Sequence, residues 1–339
     1  MRHLFKPLSE QRLVLTGATS GIGLATARMA ARQGASLMLV ARNEGALLSL
    51  RDELRGLGIR AEYCVADVAD HEALKRVSAR TIEAFGGYDS WINNAGAFIY
   101  GAVDDVPVED QRRLFDVVYW GVVHGTMIAA EHLQRNGGAI VTVGSVLGEF
   151  AIPFQGTYCA AKFAVKGFTE AYRRELMAAR RPVSVTLVKP AAIDTSYMEH
   201  ARNRLGTAGT RNPPPSYHPD LVARAILHGC ETGVRDLVVG GMGGESLVLA
   251  NRLMPRVVDR IAALVGRRMQ SSDDAGDPEM RDNLCDSRRD LSERSTLKPF
   301  TRSGSLLLEA QLQPVKAAAI TGGATLLYLL AFRFLGPRR

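Results

Sequence analysis

A short apolar run that leads directly into a glycine-rich turn is the feature that most constrains how this chain can fold. Leu13–Leu15 precedes Thr16–Gly23, which reads TGATSGIG, and a helical pattern follows at once. Glycines permit a tight strand-to-helix turn and let the backbone approach a pyrophosphate, while the helix N-terminus presents free N–H groups to phosphate. A tight turn without any ligand is the alternative. The candidate ligand contacts in this turn are Gly17, Thr19, Ser20, Gly21, Ile22 and Gly23.

The first 244 residues alternate short apolar or β-branched runs with longer segments of helical periodicity. Strands are predicted at Leu13–Thr16, Ser36–Val40, Ala61–Val65, Ser90–Asn93, Ala139–Val143, Ser184–Val188 and Leu237–Val239. Helices are predicted at Ile22–Gln33, Glu44–Leu57, His71–Phe85, Glu109–Leu133, Tyr158–Ala179 and Asp220–Glu231. Repeated strand-then-helix order predicts an α/β, doubly wound parallel sheet of the Rossmann type, as a single domain over residues 1–244.

The end of the second predicted strand indicates which dinucleotide suits this turn. An acid there would bind a ribose 2′-hydroxyl, but Val40–Asn43 contains none, and Arg42 is placed to receive a 2′-phosphate. We therefore expect NADP(H) as the cofactor, with a solvated loop arginine as the alternative.

Tyr158 and Lys162 lie four residues apart at the start of a helical pattern, so they share one helix face. A lysine ammonium near a phenol lowers the tyrosine pKa from its usual ~10, which would make Tyr158 a general acid/base. Ser145 follows the fifth predicted strand at its carboxyl end, where open parallel sheets bind ligands. Its hydroxyl could therefore hydrogen-bond a substrate oxygen.

Five motifs occur in an order and spacing that resemble the short-chain dehydrogenase/reductase family over roughly residues 10–240. They are Thr16–Gly23, Asn93–Gly96, Ser145, Tyr158 and Lys162. The resemblance implies that Tyr158 exchanges a proton with the reacting oxygen and that Ser145 orients the substrate carbonyl. It also implies that Lys162 binds the nicotinamide ribose and tunes Tyr158.

The same resemblance implies further cofactor contacts. Asp67 and Val68, after the third strand, would contact the adenine ring, and Asn94 would shape the wall of the cofactor site. The segment expected to hold the nicotinamide carboxamide contains Pro190, Ile193 and Thr195.

One position departs from the family pattern in a way that bears on turnover. The family usually has asparagine in a stretch like Asp-Val-Asn-x-x-Gly, and here Val118 takes that place within Asp116–Gly121. In the family this asparagine holds a water that relays protons to the lysine, and valine cannot hydrogen-bond. Ala191, where glycine is frequent, is a milder change.

The expected activity is interconversion of an alcohol and a carbonyl by an NADP(H)-dependent oxidoreductase. Apolar residues on segments expected near the pocket favour a hydrophobic substrate, and they include Phe98, Ile99, Tyr100, Phe150, Ile152, Phe154, Tyr197 and Met198. The alternative, prompted by Val118, is an NADP-binding sensor or membrane-tethered scaffold without turnover. The resemblance also implies a homo-oligomer, because the family commonly forms dimers or tetramers.

Three segments follow the predicted domain. Residues 245–270 form an amphipathic pattern, which either packs on the core or lies on a membrane surface. Residues 271–314 are expected to be a flexible linker, because 271–299 holds eight acids, five bases and few large apolar residues. Residues 315–336 predict a hydrophobic helix and a membrane anchor, since Ala317–Phe332 carries no charge. Docking of that helix on protein is the alternative.

Charge and cysteine content bear on whether the protein binds nucleic acid, holds a metal or is stabilised by disulfides. The net charge of +7 does not favour nucleic acid, because no recognition motif is present and the chain beyond Val315 supplies four positive charges suited to anionic lipid headgroups. Cys64, Cys159, Cys230 and Cys285 lie far apart with no metal-ligand spacing, so neither a metal site nor a disulfide framework is expected. A cytoplasmic catalytic domain fits these reduced thiols.

Overall fold

A seven-stranded parallel sheet frames the molecule in a computed structural model, which describes residues 5–288 and 290–317, apart from the side chains at 242, 243 and 245. Its strands are β1 (Arg12–Thr16), β2 (Ser36–Ala41), β3 (Ala61–Val65), β4 (Ser90–Asn93), β5 (Gly138–Val143), β6 (Val183–Pro190) and β7 (Asp236–Val239). The spatial order is β3-β2-β1-β4-β5-β6-β7, and each neighbouring pair is parallel. The doubly wound α/β prediction is confirmed. The order reverses between β1 and β4, so a ligand crevice is expected beyond their carboxyl ends.

Helices cover both faces of this sheet. They are α1 (Gly21–Arg32), α2 (Glu44–Gly56), α3 (His71–Phe85), α4 (Val108–Phe115), α5 (Gly121–Asn136), α6 (Gly156–Ala178), α7 (Tyr197–His200), α8 (Pro219–Thr232), α9 (Met242–Leu253), α10 (Pro255–Gln270) and α11 (Leu306–Leu312). Helices α1, α2 and α8 share one apolar cluster, and α3, α5 and α6 share the other. The two clusters lie on opposite faces of the sheet because side chains alternate along a strand. In β1, for example, Leu13 and Leu15 belong to one cluster and Val14 to the other.

The long helix predicted over Glu109–Leu133 is interrupted. A π-helical turn over Asp116–Trp120 separates α4 from α5, and the Gly121 N–H donates to the Asp116 carbonyl. Such π-helical turns are frequently found at functional sites. This turn contains Val118.

The amphipathic segment 245–270 forms two helices rather than one. Pro255 begins α10 and has no N–H to continue α9, so the chain breaks at Met254. Large apolar side chains of both helices face outward, with Leu253 and Leu264 71% and 84% exposed. The alternative that this segment packs on the core is therefore wrong for most of its apolar face.

The segment expected to be a flexible linker, 271–314, packs on the domain. Thr301–Arg302 pairs with Ser216–Tyr217, and α11 lies against β7 and α8 with Leu308 fully buried. The hydrophobic helix predicted at 315–336 lies outside the described residues from 318 onward. Among residues 5–288 and 290–317, no helix has the length and apolarity needed to cross a membrane.

Candidate functional site

The glycine-rich turn between β1 and α1 is tightly built. Gly17 and Gly21 have φ of 66° and 51°, a region that disfavours other residues. A Cβ added at Gly23 would lie 1.8 Å from the Gly17 carbonyl oxygen. The Asn94 side-chain amide donates to the carbonyls of Thr16 and Gly17, at 3.0 Å each. These contacts hold the turn in one shape and place Asn94 on its wall.

A polar cradle opens beside this turn. Its lining brings together many of the residues predicted to bind the adenosine half of a dinucleotide: Gly17, Thr19, Ser20, Arg42, Asp67 and Val68. Ser20 caps α1 in an extended conformation with no side-chain cap bond, so its hydroxyl is not used by the helix end. Asp67 forms an ion pair with Arg113 and accepts from the Ala69 N–H at 3.0 Å. Ile22 lies on the other side of the turn and packs into the apolar cluster under α1.

Arg42 stands half-buried at the end of β2, and burial lowers the pKa of its guanidinium. The guanidinium donates to the carbonyl of Cys285 at 2.8 Å and to that of Asn283. The guanidinium of Arg42 therefore donates its hydrogen bonds to backbone carbonyl oxygens and not to a carboxylate. A phosphate would satisfy the same donors more strongly.

Ser145, Tyr158 and Lys162 meet at the carboxyl end of β5. Tyr158 and Lys162 are both buried, at 7% and 6% exposure, on the first turns of α6. The Lys162 ammonium donates to the Val143 carbonyl at 2.8 Å and lies 5.6 Å from the Tyr158 ring centroid. Ser145 caps a short 3-10 turn by accepting from the Leu147 N–H at 3.0 Å, and it also hydrogen-bonds Tyr158.

Burial is the largest influence on the pKa values of both groups in this cluster. Burial raises the pKa of Tyr158 to about 12, and hydrogen bonds with Tyr197 and Ser145 offset only part of that rise. Burial lowers the pKa of the Lys162 ammonium to about 8. The prediction that Lys162 lowers the Tyr158 pKa stays a prediction. Low dielectric disfavours both charged forms, and that effect dominates here.

Aromatic rings pack around Tyr158. Phe98 stands edge-on to Tyr158 with centroids 4.3 Å apart, and Tyr197 lies 4.8 Å from Phe98. Tyr100 packs against Phe98 at 4.6 Å, and burial raises its pKa. Burial also raises the pKa of Tyr197, so its hydroxyl stays protonated. The apolar pocket residues predicted at 98, 100 and 197 do gather around Tyr158.

The segment predicted to hold the carboxamide follows β6, which ends at Pro190. Thr195 lies beside the glycine-rich turn, because a Cβ added at Gly21 would be 3.1 Å from the Thr195 Cβ. Ile193 is buried and bridges to Tyr217. Between them, Asp194 is fully buried and pairs with Arg294 at 2.7 Å, a contact that sequence patterns did not indicate.

Val118 is 1% exposed and belongs to the apolar cluster on its side of the sheet. The π-helical turn thus forms without a polar side chain at this position. A proton relay through the side chain of residue 118 is excluded, because the valine side chain can neither donate nor accept a hydrogen bond.

A segment that sequence reasoning assigned to the linker covers the cradle. We call residues 283–288 and 290–296 the strap. The Ser292 carbonyl accepts from the Gly21 N–H at 2.8 Å, and the Leu291 N–H donates to the Thr19 carbonyl at 2.9 Å. Asp290 accepts from the Thr19 hydroxyl at 2.8 Å. These are mostly backbone contacts, which leave no side-chain signal in the sequence.

The arrangement of possible metal ligands can be described for residues 5–288 and 290–317. There, no group of three or more His, Cys, Asp or Glu residues could hold an ion. All four cysteines are free thiols.

Comparisons with known proteins agree on one family. The family model described as short chain dehydrogenase matches residues 11–205. "Uncharacterized oxidoreductase YxnA" of Bacillus subtilis is 40% identical over 320 residues, 94% of this chain and 90% of the relative. "Putative oxidoreductase SadH" of Mycobacterium tuberculosis is 35% identical over 258 residues, 76% of this chain and 91% of the relative.

A solved structure gives the same picture. An alcohol dehydrogenase from Thermococcus sibiricus, complexed with 5-hydroxy-NADP, aligns with a TM-score of 0.61 and 26% identity. The alignment covers 68% of this chain and 95% of that one.

Proposed function

This chain belongs to the short-chain dehydrogenase/reductase family and is an oxidoreductase of that class, and we propose that it interconverts an alcohol and a carbonyl with NADP(H). The observation that carries the proposal is the buried group of Ser145, Tyr158 and Lys162. It lies at the carboxyl edge of the same sheet as the glycine-rich turn.

Proton transfer is the part of the reaction that falls to the protein. The Tyr158 hydroxyl would give its proton to the substrate oxygen during reduction and take one back during oxidation. Its raised pKa keeps it protonated at neutral pH, which suits the reductive direction. Ser145 would hold the substrate oxygen by a hydrogen bond, and the Lys162 ammonium would hold the ribose and stabilise a phenolate when one forms.

The residues of the cradle fit a dinucleotide. Gly23 has no room for a Cβ, the α1 N-terminus offers N–H donors, and the Ser20 hydroxyl is not used in capping. When bound, the nicotinamide supplies or accepts the hydride. Thr195 and Ile193 would hold the nicotinamide carboxamide. Asp67 and Val68 would contact the adenine at the other end of the dinucleotide. The family resemblance supports those four assignments.

The preference for NADP(H) rests on Arg42 and on the absence of an acid between Val40 and Asn43. The Thermococcus relative complexed with 5-hydroxy-NADP supports it. Arg42→Ala should weaken NADPH binding much more than NADH binding, because only NADPH carries the 2′-phosphate. Equal losses for both cofactors would contradict this preference.

A hydrophobic substrate is supported by the rings around Tyr158. Phe98 presents its ring to Tyr158 with centroids 4.3 Å apart, and the Tyr197 ring lies 6.2 Å from the same tyrosine, with its hydroxyl bonded to that of Tyr158. Apolar ketones or aldehydes should therefore be reduced with lower KM than short polar ones.

Turnover is tested by Tyr158→Phe in a panel of apolar carbonyl compounds, followed by loss of NADPH absorbance at 340 nm. We expect a 10²- to 10⁴-fold loss of kcat, about the contribution of a positioned acid, with NADPH affinity retained. Tyr172→Phe makes the same chemical change further along α6 and should leave turnover intact. If the unmodified protein binds NADPH but turns over nothing, the sensor or scaffold alternative suggested by Val118 replaces the enzyme.

Two proposals concern the chain's surroundings. We infer a membrane anchor at 315–336 from the uncharged run Ala317–Phe332, and Leu327→Asp with Leu330→Asp should release the protein from membranes in a sedimentation assay. We also infer a homo-oligomer, which is supported by exposed apolar side chains on the π-helical turn, α5 and α6, namely Trp120, Met127 and Phe163. Light scattering of the purified protein tests it, and a monomer would contradict it.

A further inference from the structure

The strap uses the donors that the proposed cofactor needs. Two of the three groups involved lie in the glycine-rich turn, where the Gly21 N–H and the Thr19 hydroxyl donate to Ser292 and Asp290. The third is Arg42, whose guanidinium donates to the carbonyls of Asn283 and Cys285. Each acceptor on the strap is an oxygen atom, and one of them belongs to a carboxylate. The strap therefore accepts from these donors the same hydrogen bonds that phosphate oxygens would accept.

The strap also fills space and carries charge in the cradle. Asn283, Ser287, Arg288 and Asp290 line it together with the glycine-rich turn. Leu284 is fully buried and belongs to the same apolar cluster as Val68, which lines the cradle. Thr19 cannot donate its one hydroxyl hydrogen to both Asp290 and a phosphate. The Asp290 carboxylate and a cofactor phosphate on adjacent donors would also repel each other, because both are negatively charged.

Contacts outside the cradle hold both ends of the strap. Before it, Asp282 pairs with Arg202 at 2.9 Å. At its far end, Glu293 pairs with Arg28 at 2.7 Å, and the Ser295 hydroxyl donates to Glu199 at 2.9 Å. The part of the strap that lines the cradle therefore lies between two anchored ends, at Asp282 and at Glu293.

We propose that the strap is an autoinhibitory element that competes with NADP(H) for the cradle, so that the cofactor binds only when the strap is displaced. This inference rests on the proposed function. Displacement breaks the contacts of Gly21, Thr19 and Arg42 with the strap and frees the same groups for phosphate. The apparent Kd for NADPH then equals the intrinsic Kd divided by the fraction of molecules with the strap displaced.

The first experiment weakens the strap without changing charge. Ser295→Ala with Thr296→Val removes two hydroxyl bonds to Glu199, a residue outside the group of proposed phosphate donors Gly21, Thr19 and Arg42. In the full-length chain this pair should lower the apparent Kd for NADPH at least threefold. The matched control is Ser49→Ala with Thr232→Val, which makes the same chemical changes at exposed helical positions and should leave the Kd unchanged.

The second variant acts in the cradle itself. Asp290→Ala removes the contact with Thr19 and should also tighten NADPH binding, whereas Asp104→Ala, at an exposed position, should not. If Asp290→Ala tightens binding but the uncharged pair does not, charge alone explains the effect and competition by the strap is refuted.

Limited proteolysis shows in which direction the strap moves. Trypsin cleavage after Arg288 should become at least severalfold faster on addition of NADPH, because a displaced strap is accessible. Slower cleavage would show that the strap closes over the cofactor, and unchanged cleavage that it never leaves; either result overturns the proposal. The proposed function fails separately, if neither the unmodified chain nor any strap variant binds NADPH.

Discussion

Replacing the buried lysine of the proposed catalytic group should leave stability at neutral pH unchanged or raise it, while abolishing activity. Lys162 is 6% exposed, and its ammonium donates to the Val143 carbonyl. Burial lowers its pKa from the usual 10.5 to about 8, so the folded protein pays to keep this group charged. Lys162→Met keeps most of the volume and removes the charge.

The size of the effect follows from the pKa difference between the folded and unfolded chains. At pH 7 both states carry the ammonium, and the shift from 10.5 to about 8 corresponds to roughly 3 kcal/mol of destabilisation. The Val143 carbonyl loses its partner in the variant, which costs about 1–3 kcal/mol. Lys162→Met should therefore be as stable as the unmodified protein at pH 7, or more stable by up to about 2 kcal/mol.

The sign of the pH dependence is the sharper test. Between the folded and unfolded pKa values the unfolded chain binds one more proton, so the unmodified protein gains stability as pH rises. Its penalty falls by roughly 2.5 kcal/mol between pH 7 and pH 10, whereas Lys162→Met has no such group. The variant's advantage should therefore shrink and reverse toward pH 10.

Urea unfolding of both proteins at pH 7 and pH 10 measures this change, with NADPH oxidation assayed in parallel. Lys6→Met, at an exposed lysine, is the control, and its difference from the unmodified protein should not vary in this way. A Lys162→Met difference that is the same at both pH values would refute the argument that the buried ammonium is penalised.

Two further predictions concern packing. Gly23→Ala should cost about 1–3 kcal/mol of stability and weaken NADPH binding at least tenfold, because the new Cβ meets the Gly17 carbonyl; thermal unfolding and calorimetric titration measure both, and Gly167→Ala, with nothing within 4 Å, should show neither loss. Leu308→Ala should cost about 2–5 kcal/mol by denaturant unfolding, because Leu308 is fully buried. Leu306, 90% exposed on the same helix, should tolerate alanine, and equal effects at the two positions would contradict the docking of α11.

Elements with clear end signals were predictable from sequence. Helix α3 matches its predicted bounds because Asp70 caps its start by accepting from the Ala73 N–H and Gly86 ends it with φ of 75°. The assembly of Ser145, Tyr158 and Lys162 also followed from position, since parallel strands place their carboxyl ends at one edge.

The features that could not be predicted from the sequence depend on which surfaces pack together and on how deeply each group is buried. The apolar periodicity of α9 and α10 is the same whether that face meets protein or solvent. The pKa of Tyr158 depends on how deeply its hydroxyl is buried, which the spacing to Lys162 does not encode. The strap contacts the cradle largely through backbone oxygens, so its charged composition indicated solvent exposure instead.

The anchoring of the strap at both ends makes it a tethered ligand. Its local concentration at the cradle is set by the short loop between Asp282 and Glu293, and loops of this kind correspond to millimolar effective concentrations. Occupancy of the cradle by a tethered segment does not change on dilution. Only free cofactor, or a change in the chain itself, can shift it, so a titration repeated at tenfold lower protein should return the same apparent Kd.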